Sequence, residues 1–256
     1  MILGGGISGV FGSLLGLGGG ILIIPLLTLV FHLPIHQAIG TSLVSVIATS
    51  TGAASVYVKS KKVDIKLGMS LELATTIGAI IGGLIAGLIS QKGLSILFSG
   101  LLLYTAFVMA RKREKVETEE LNVGDSSYKI VNLPLGMTAS FFAGNISGLL
   151  GVGGGIIKVP AMHLLMKVPL KIATATSNFM IGVTATASAF IYYFRGDVNI
   201  LVTGIITLGV FIGAFFGSRI APKIKTKHLK LGFVFVLLYL SLKMLFGAVN
   251  IHFLIF

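Results

Sequence analysis

Runs of about 20 apolar residues, the length of helix that crosses a ~30 Å hydrocarbon core, recur along this chain and decide what it can fold into. They lie at residues 2–31, 37–58, 67–90 and 93–110, and again at 131–166, 171–194, 198–221 and 231–250. Glycines interrupt the first run of each set of four. In hydrocarbon an unpaired peptide group is costly, and only helices or closed barrels avoid that cost. Strand-like alternation is absent from the runs, so they read as helices. Of the 256 residues 55% are hydrophobic and 11% charged, against about 25% charged in soluble domains. No stretch is polar and long enough for a separate soluble domain. The expected class is an all-α polytopic membrane protein.

The formal charge is +12, from 20 Lys+Arg against 8 Asp+Glu. Most basic residues stand between apolar runs, where they act as orientation signals facing the cytoplasm and not as a nucleic-acid surface. With no cysteine, disulfides, thiolate metal sites and cysteine chemistry are excluded. The start, MILGGGISGVFG, has no basic region and no small-residue cleavage site, so it is expected to be structural and not a signal peptide.

The chain is duplicated. Residues 14–58 align without gaps on 149–193, so that Gly16 falls on Gly151, Pro25 on Pro160, Pro34 on Pro169 and Tyr57 on Tyr192, a constant offset of 135. Gly78 and Gly82 fall on Gly213 and Gly217 at the same offset. This predicts two homologous four-segment halves, residues 1–110 and 130–256, joined by a cytoplasmic linker at 111–129 that carries most of the acidic residues.

Charge then orients the halves. Lys59, Lys61, Lys62 and Lys66 lie between the second and third runs of the first half, where the second half has only Arg195 with Asp197. The next loops reverse the pattern, Lys92 alone against Lys223, Lys225, Lys227 and Lys230. Equivalent loops are therefore expected on opposite sides, making the halves inverted repeats. Inversion needs an odd number of crossings per half. It is met if each Gly-broken segment is re-entrant, giving six crossings and two hairpins; a kinked helix that crosses fully fits length and composition as well.

Both broken segments carry G-x-G-G-G-x-x-x-x-P: Gly18, Gly19, Gly20 and Pro25 in one half, Gly153, Gly154, Gly155 and Pro160 in the other. A helix broken at depth exposes main-chain N–H groups and a positive dipole end, which suit an anion. In inverted-repeat transporters the substrate sits near the midplane where broken helices meet. Close packing is the alternative use of membrane glycines; it is the expected role of Gly78, Gly82, Gly209, Gly213 and Gly217. A nucleotide fingerprint is disfavoured for want of a βαβ context or an acidic ribose partner.

Lys158 lies three residues past the second break, where the first half has Ile23. Intramembrane charge is costly and usually functional, so Lys158 is expected to anchor a bound anion, the competing reading being a lysine snorkelling to an interface. The segments AIGTSL and ATATSN add Thr41, Ser42, Thr176, Ser177 and Asn178 as candidate donors to an oxyanion. Singly, such hydroxyls serve packing as readily. Glu72 is the one acid clearly within an apolar run, a candidate for a coupling proton, though its place near a helix end favours an interfacial role. Asn145 either lines the site or caps the turn, and Lys243 is expected to snorkel. The five histidines lack ligand spacing, so neither a metal nor another cofactor is expected. No nucleophile with base and orienting partner is readable, which disfavours an enzyme.

The two glycine motifs, each followed by A-x-x-T-S, resemble those of the TauE/SafE family of sulfite exporters and toluene-sulfonate uptake permeases, over nearly the whole chain except the linker. The resemblance implies a multi-pass prokaryotic inner-membrane transporter of sulfur-containing anions such as sulfite, sulfoacetate or another organosulfonate. The combined expectation is alternating access around a midplane site. An anion channel, a carrier of a non-sulfur organic anion and a scaffold without transport stay open, as do direction, coupling, and monomer against homodimer.

Overall fold

The computed structural model describes residues 1–111, 130–221 and 226–249. The proposed linker, apart from Arg111, and the cluster Lys223 to Lys225 lie outside the described residues. All described regular elements are helical: α1 Ile2–Leu15, α2 Gly20–Pro25, α3 Ile35–Lys59, α4 Ile65–Ala86 and α5 Gln91–Arg111, then α6 Leu133–Leu150, α7 Gly155–Pro160, α8 Leu170–Phe194, α9 Ile200–Ile220 and α10 Thr226–Val249. The duplication is visible element by element: α2 and α7, and α3 and α8, begin and end at positions 135 apart.

Each helix boundary has a local cause. Pro25 and Pro160 cannot donate a main-chain hydrogen bond and crowd the preceding turn, and at both the helix widens into one π turn, Leu26–Val30 and Ala161–Leu165. Asp64 caps α4 by accepting from the Leu67 amide at 2.9 Å, and Asn199 caps α9 from Val202 at 3.1 Å. At the breaks, Gly16, Gly18 and Gly19 and their counterparts Gly151, Gly153 and Gly154 all take φ between 69° and 81°, the left-handed region open to glycine at little cost.

At each break the chain reverses. Gly12 of α1 touches Gly19, and Gly4 lies against Leu26, so α2 runs back along α1. Likewise Gly154 lies against Ala143 and Gly136 against Met166, and the Val131 amide bonds the Met166 carbonyl at 3.4 Å, bringing the second hairpin back to its starting level.

The halves embrace. α1 packs parallel to α9 of the other half, and α6 parallel to α4, through glycines in direct contact with the partner helix's carbonyls. A Cβ at Gly78 would collide with the Phe141 carbonyl, and one at Gly213 with that of Gly6, so the packing role expected of these glycines is the observed one. Between these pairs stand α3 and α8. Val46 and Ile181, near their middles, both touch Gly18 and Gly153, while Ser50 bonds the Asn178 carbonyl; α3 and α8 therefore run antiparallel. The Lys59–Asp64 loop lies beside the start of α8, where the Asp64 amide bonds Thr176, and the Asp197 loop lies beside Gly40 at the start of α3. α5 and α10 pack together at the periphery, where Ser241 bonds the Ser99 carbonyl.

Among the described residues, six helices are long and apolar enough to cross a membrane: α3, α4, α5, α6, α9 and the Gly232–Val249 part of α10. The expected set had α8 in place of α6. α8 is as long as α3, but Thr176, Ser177, Asn178, Thr184 and Ser188 lower its hydropathy, and all five are buried within the protein. Outward faces carry Leu73, Leu84, Leu88, Leu201 and Phe235, all exposed, as contact with lipid requires.

Close helix contact at glycine makes a clear prediction. Gly78→Ala, forced against the Phe141 carbonyl, is expected to destabilise by about 1–3 kcal/mol. Gly204→Ala, with open space around it, is expected to be neutral or stabilising by up to ~1 kcal/mol. Thermal unfolding of the two variants in detergent checks both signs.

Candidate functional site

The two glycine turns meet at the centre of the molecule. A Cβ at Gly20 would strike the Gly151 carbonyl, and one at Gly155 the Gly16 carbonyl. Gly18, Gly19, Gly20, Gly153, Gly154 and Gly155 are all buried. The hollow beside the first turn, lined by Ser8, Phe11, Leu17 and Phe233 among others, is too narrow to admit water. With Val46 and Ile181 over both turns, the conformation is closed at the expected binding point.

Helix breaks leave carbonyls at the end of α1 and α6 without helical partners, and side chains supply donors, Ser42, Ser177 and Asn178 from the other half and Tyr57 and Tyr192 from the same one. Ser42 donates to the Gly151 carbonyl at 2.8 Å, and its counterpart Ser177 to that of Gly16 at 3.2 Å. Tyr57 and the Asn178 amide both donate to the Ser13 carbonyl at 3.1 Å; Tyr192 donates to that of Leu149 at 3.1 Å. The expected oxyanion shell is thus revised in this conformation. A hydroxyl has one proton, and those of Ser42 and Ser177 are already committed to the turns. The Asn178 amide hydrogens go to Ser13 and Thr174, while its buried Oδ1 has no hydrogen-bond partner among the described residues. Thr41 accepts from Thr203 at 3.1 Å, and Thr176 from the Asp64 amide at 3.0 Å.

Lys158 is fully buried, which removes the snorkelling reading. Its ammonium meets Glu72 Oε2 at 3.4 Å and the Thr184 hydroxyl at 2.8 Å; Thr184 in turn donates to Glu72 Oε1 at 2.6 Å, and Thr76 to the same oxygen at 3.3 Å. The interfacial reading of Glu72 is therefore corrected: it is 7% exposed, a full turn and more inside α4, with its carboxylate turned to Lys158. Two residues read separately, the anchor and the proton carrier, form one site. Burying two ions costs several kcal/mol each before their attraction is counted, so neither is tolerable without the other. Thr184 was missed, although its repeat counterpart Thr49 is also a threonine and signalled it.

The remaining candidates fall elsewhere. Asn145 presents its carbonyl to Gly82 in the α4–α6 contact. Lys243 is on an exposed face of α10, its amine 5.9 Å from the Tyr239 ring. Among the described residues no group of three or more His, Asp or Glu is placed to hold a metal ion.

A multi-pass helical bundle with broken helices meeting at its centre, beside a buried ion pair, defines a polytopic membrane transporter. The family model described as Sulfite exporter TauE/SafE matches residues 1–244, and the chain belongs to that family. It is 30% identical to the probable membrane transporter protein YunE of Bacillus subtilis, over 97% of both chains. It is 28% identical to a probable membrane transporter protein of Methanocaldococcus jannaschii, over 90% of this chain and 89% of that one. It is also 25% identical to the sulfite exporter TauE/SafE family protein 6 of Arabidopsis thaliana, over 58% of this chain and 36% of that one. No solved structure matches.

Removing one partner of the pair is expected to be costly. Lys158→Met and Glu72→Gln should each destabilise by roughly 3–5 kcal/mol, and the double variant Lys158→Met/Glu72→Gln by much less than their sum. A double-mutant cycle of unfolding in detergent measures this.

Proposed function

We propose that this protein is a secondary transporter of a small sulfur-containing oxyanion, such as sulfite, sulfoacetate or another organosulfonate, working by alternating access between inverted halves. The observation that carries the reading is the meeting of two glycine turns between the middles of antiparallel α3 and α8, with Lys158 buried on the helix that follows one turn. The antiparallel course supports inversion. The reversal of the chain at both breaks supports two re-entrant hairpins, with α3, α4, α5, α8, α9 and α10 as crossings. Lys59, Lys61, Lys62, Lys66, Lys167 and Lys171 flank the same end of this arrangement, which is assigned to the cytoplasm of a prokaryotic inner membrane.

Transport requires the closed centre to open to one side at a time. Parting the turns on rocking of the halves would free the Ser42 and Ser177 hydroxyls, with Thr41, Thr176 and main-chain amides, for an oxyanion facing Lys158. The closure at Val46 and Ile181 favours this over an open anion channel. Family membership supports the sulfur chemistry: the model's own description is a sulfite exporter.

Proteoliposomes test it. Counterflow of sulfite, sulfoacetate or isethionate is expected in the wild type, with sulfate and carboxylates weaker, and a loss of at least tenfold in folded Lys158→Met. Absence of counterflow for the whole panel contradicts the reading.

A further inference from the structure

Two of the three N–H groups of Lys158 are engaged, one by a hydroxyl and one by a carboxylate that belongs to the protein itself. Glu72 is thus an internal anion in contact with the only ammonium buried beside the glycine turns among the described residues. Thr184 holds it there, donating to the carboxylate while accepting from Lys158. At the pseudo-equivalent place in the molecule the three positions are Ile23, Thr207 and Thr49, which carry no charge. The molecule therefore has one charged centre and one neutral centre, and Lys158 and Glu72 occur at the same one although they come from different halves.

We infer that Glu72 is a stand-in for the transported anion, that the two compete for Lys158, and that substrate binds when Glu72 takes up a proton. The inference rests on the transport reading above. Charge conservation in a medium that penalises net charge gives the stoichiometry. The closed centre, ammonium plus carboxylate, is neutral. An ammonium with both a carboxylate and a bound monoanion carries net negative charge; an ammonium, a monoanion and a protonated Glu72 are again neutral. One proton is therefore bound for each monoanion and released when the anion leaves and the carboxylate returns to Lys158, so the pair crosses as an electroneutral symport.

Among the described residues of the elements packed around Glu72, no other titratable side chain competes for this role. α6, packed on α4, has none within Leu133–Leu150; α8 carries Lys171 at its start and Tyr192 and Tyr193 at its end; His163, after α7, bonds the Val168 carbonyl through Nδ1; and Lys66 is at the exposed start of α4. Of the groups on these elements, only Lys158 reaches Glu72.

The test uses the full chain in proteoliposomes loaded with a pH-sensitive dye, with isethionate as probe because its sulfonate stays singly charged throughout the neutral range. An inward isethionate gradient is expected to acidify the lumen. An inward proton gradient should drive isethionate accumulation at least fivefold over equilibrium, unchanged when the membrane potential is clamped. Glu72→Gln is expected to lose acidification and proton-driven accumulation, and Glu72→Asp, which keeps the carboxylate, to retain both. Exchange in the wild type without acidification, or acidification undiminished in Glu72→Gln, overturns the inference and leaves the pair structural. Should Glu72→Gln lose exchange as well, Glu72→Asp decides: coupled flux upholds the inference and uncoupled flux overturns it. Failure of the wild type to exchange any anion removes the transport reading itself, and this inference with it.

Discussion

Main-chain polar groups cannot be left bare in hydrocarbon, and a helix broken at depth leaves several bare at once. This chain breaks two helices and brings the broken ends together. The serine clasps cross between the halves, Ser42 serving the turn of α6 and Ser177 the turn of α1, while Tyr57 and Tyr192 cap the Ser13 and Leu149 carbonyls within their own halves. Neither half completes its own turn. The same exchange holds at the periphery, where α1 lies on α9 and α6 on α4 through glycines that admit carbonyl contact. The halves are therefore energetically tied at their most polar point, and any motion that opens the centre must trade these bonds for others of similar worth. A polar substrate offers such a trade and lipid does not.

Symmetry of the backbone contrasts with asymmetry of charge. The turns, prolines, π turns and serine clasps recur in both halves, but ionised groups appear at one centre alone, as Lys158 and Glu72. In the proposed mechanism the duplicated scaffold supplies two similar conformations facing opposite sides, and the single charged centre supplies one place for one anion. Isolated, either ion would be expelled from the interior. Together they are held in place with Thr184 between them.

Much of this was legible in sequence. Apolar run length located the helices to within a few residues, and the offset of 135 linked Gly18 to Gly153 and Pro25 to Pro160. The roles of Gly78 and Gly213 in packing followed from spacing. What could not be read was contact between side chains far apart in sequence. Glu72 and Lys158 are separated by 86 positions, and nothing local to either names the other. Position along α4 suggests an interfacial Glu72, but distance from a helix end is not depth, and α4 is buried there by α6 and α8. The Thr-Ser pairs have hydroxyls to offer a ligand, but a nearer demand, from turn carbonyls of the opposite half, takes the serine protons first. α8 fell short in hydropathy for a related reason, since its polar face is covered by protein.

The absence of cysteine from the sequence makes the central claim open to direct measurement. Val46 lies over both glycine turns, so Val46→Cys places a single thiol at the closed centre. If the halves alternate, a membrane-impermeant thiol reagent will label it from either side of the membrane, and a transported sulfonate will slow the labelling. A thiol never labelled from one of the two sides, in a folded protein, would contradict the account.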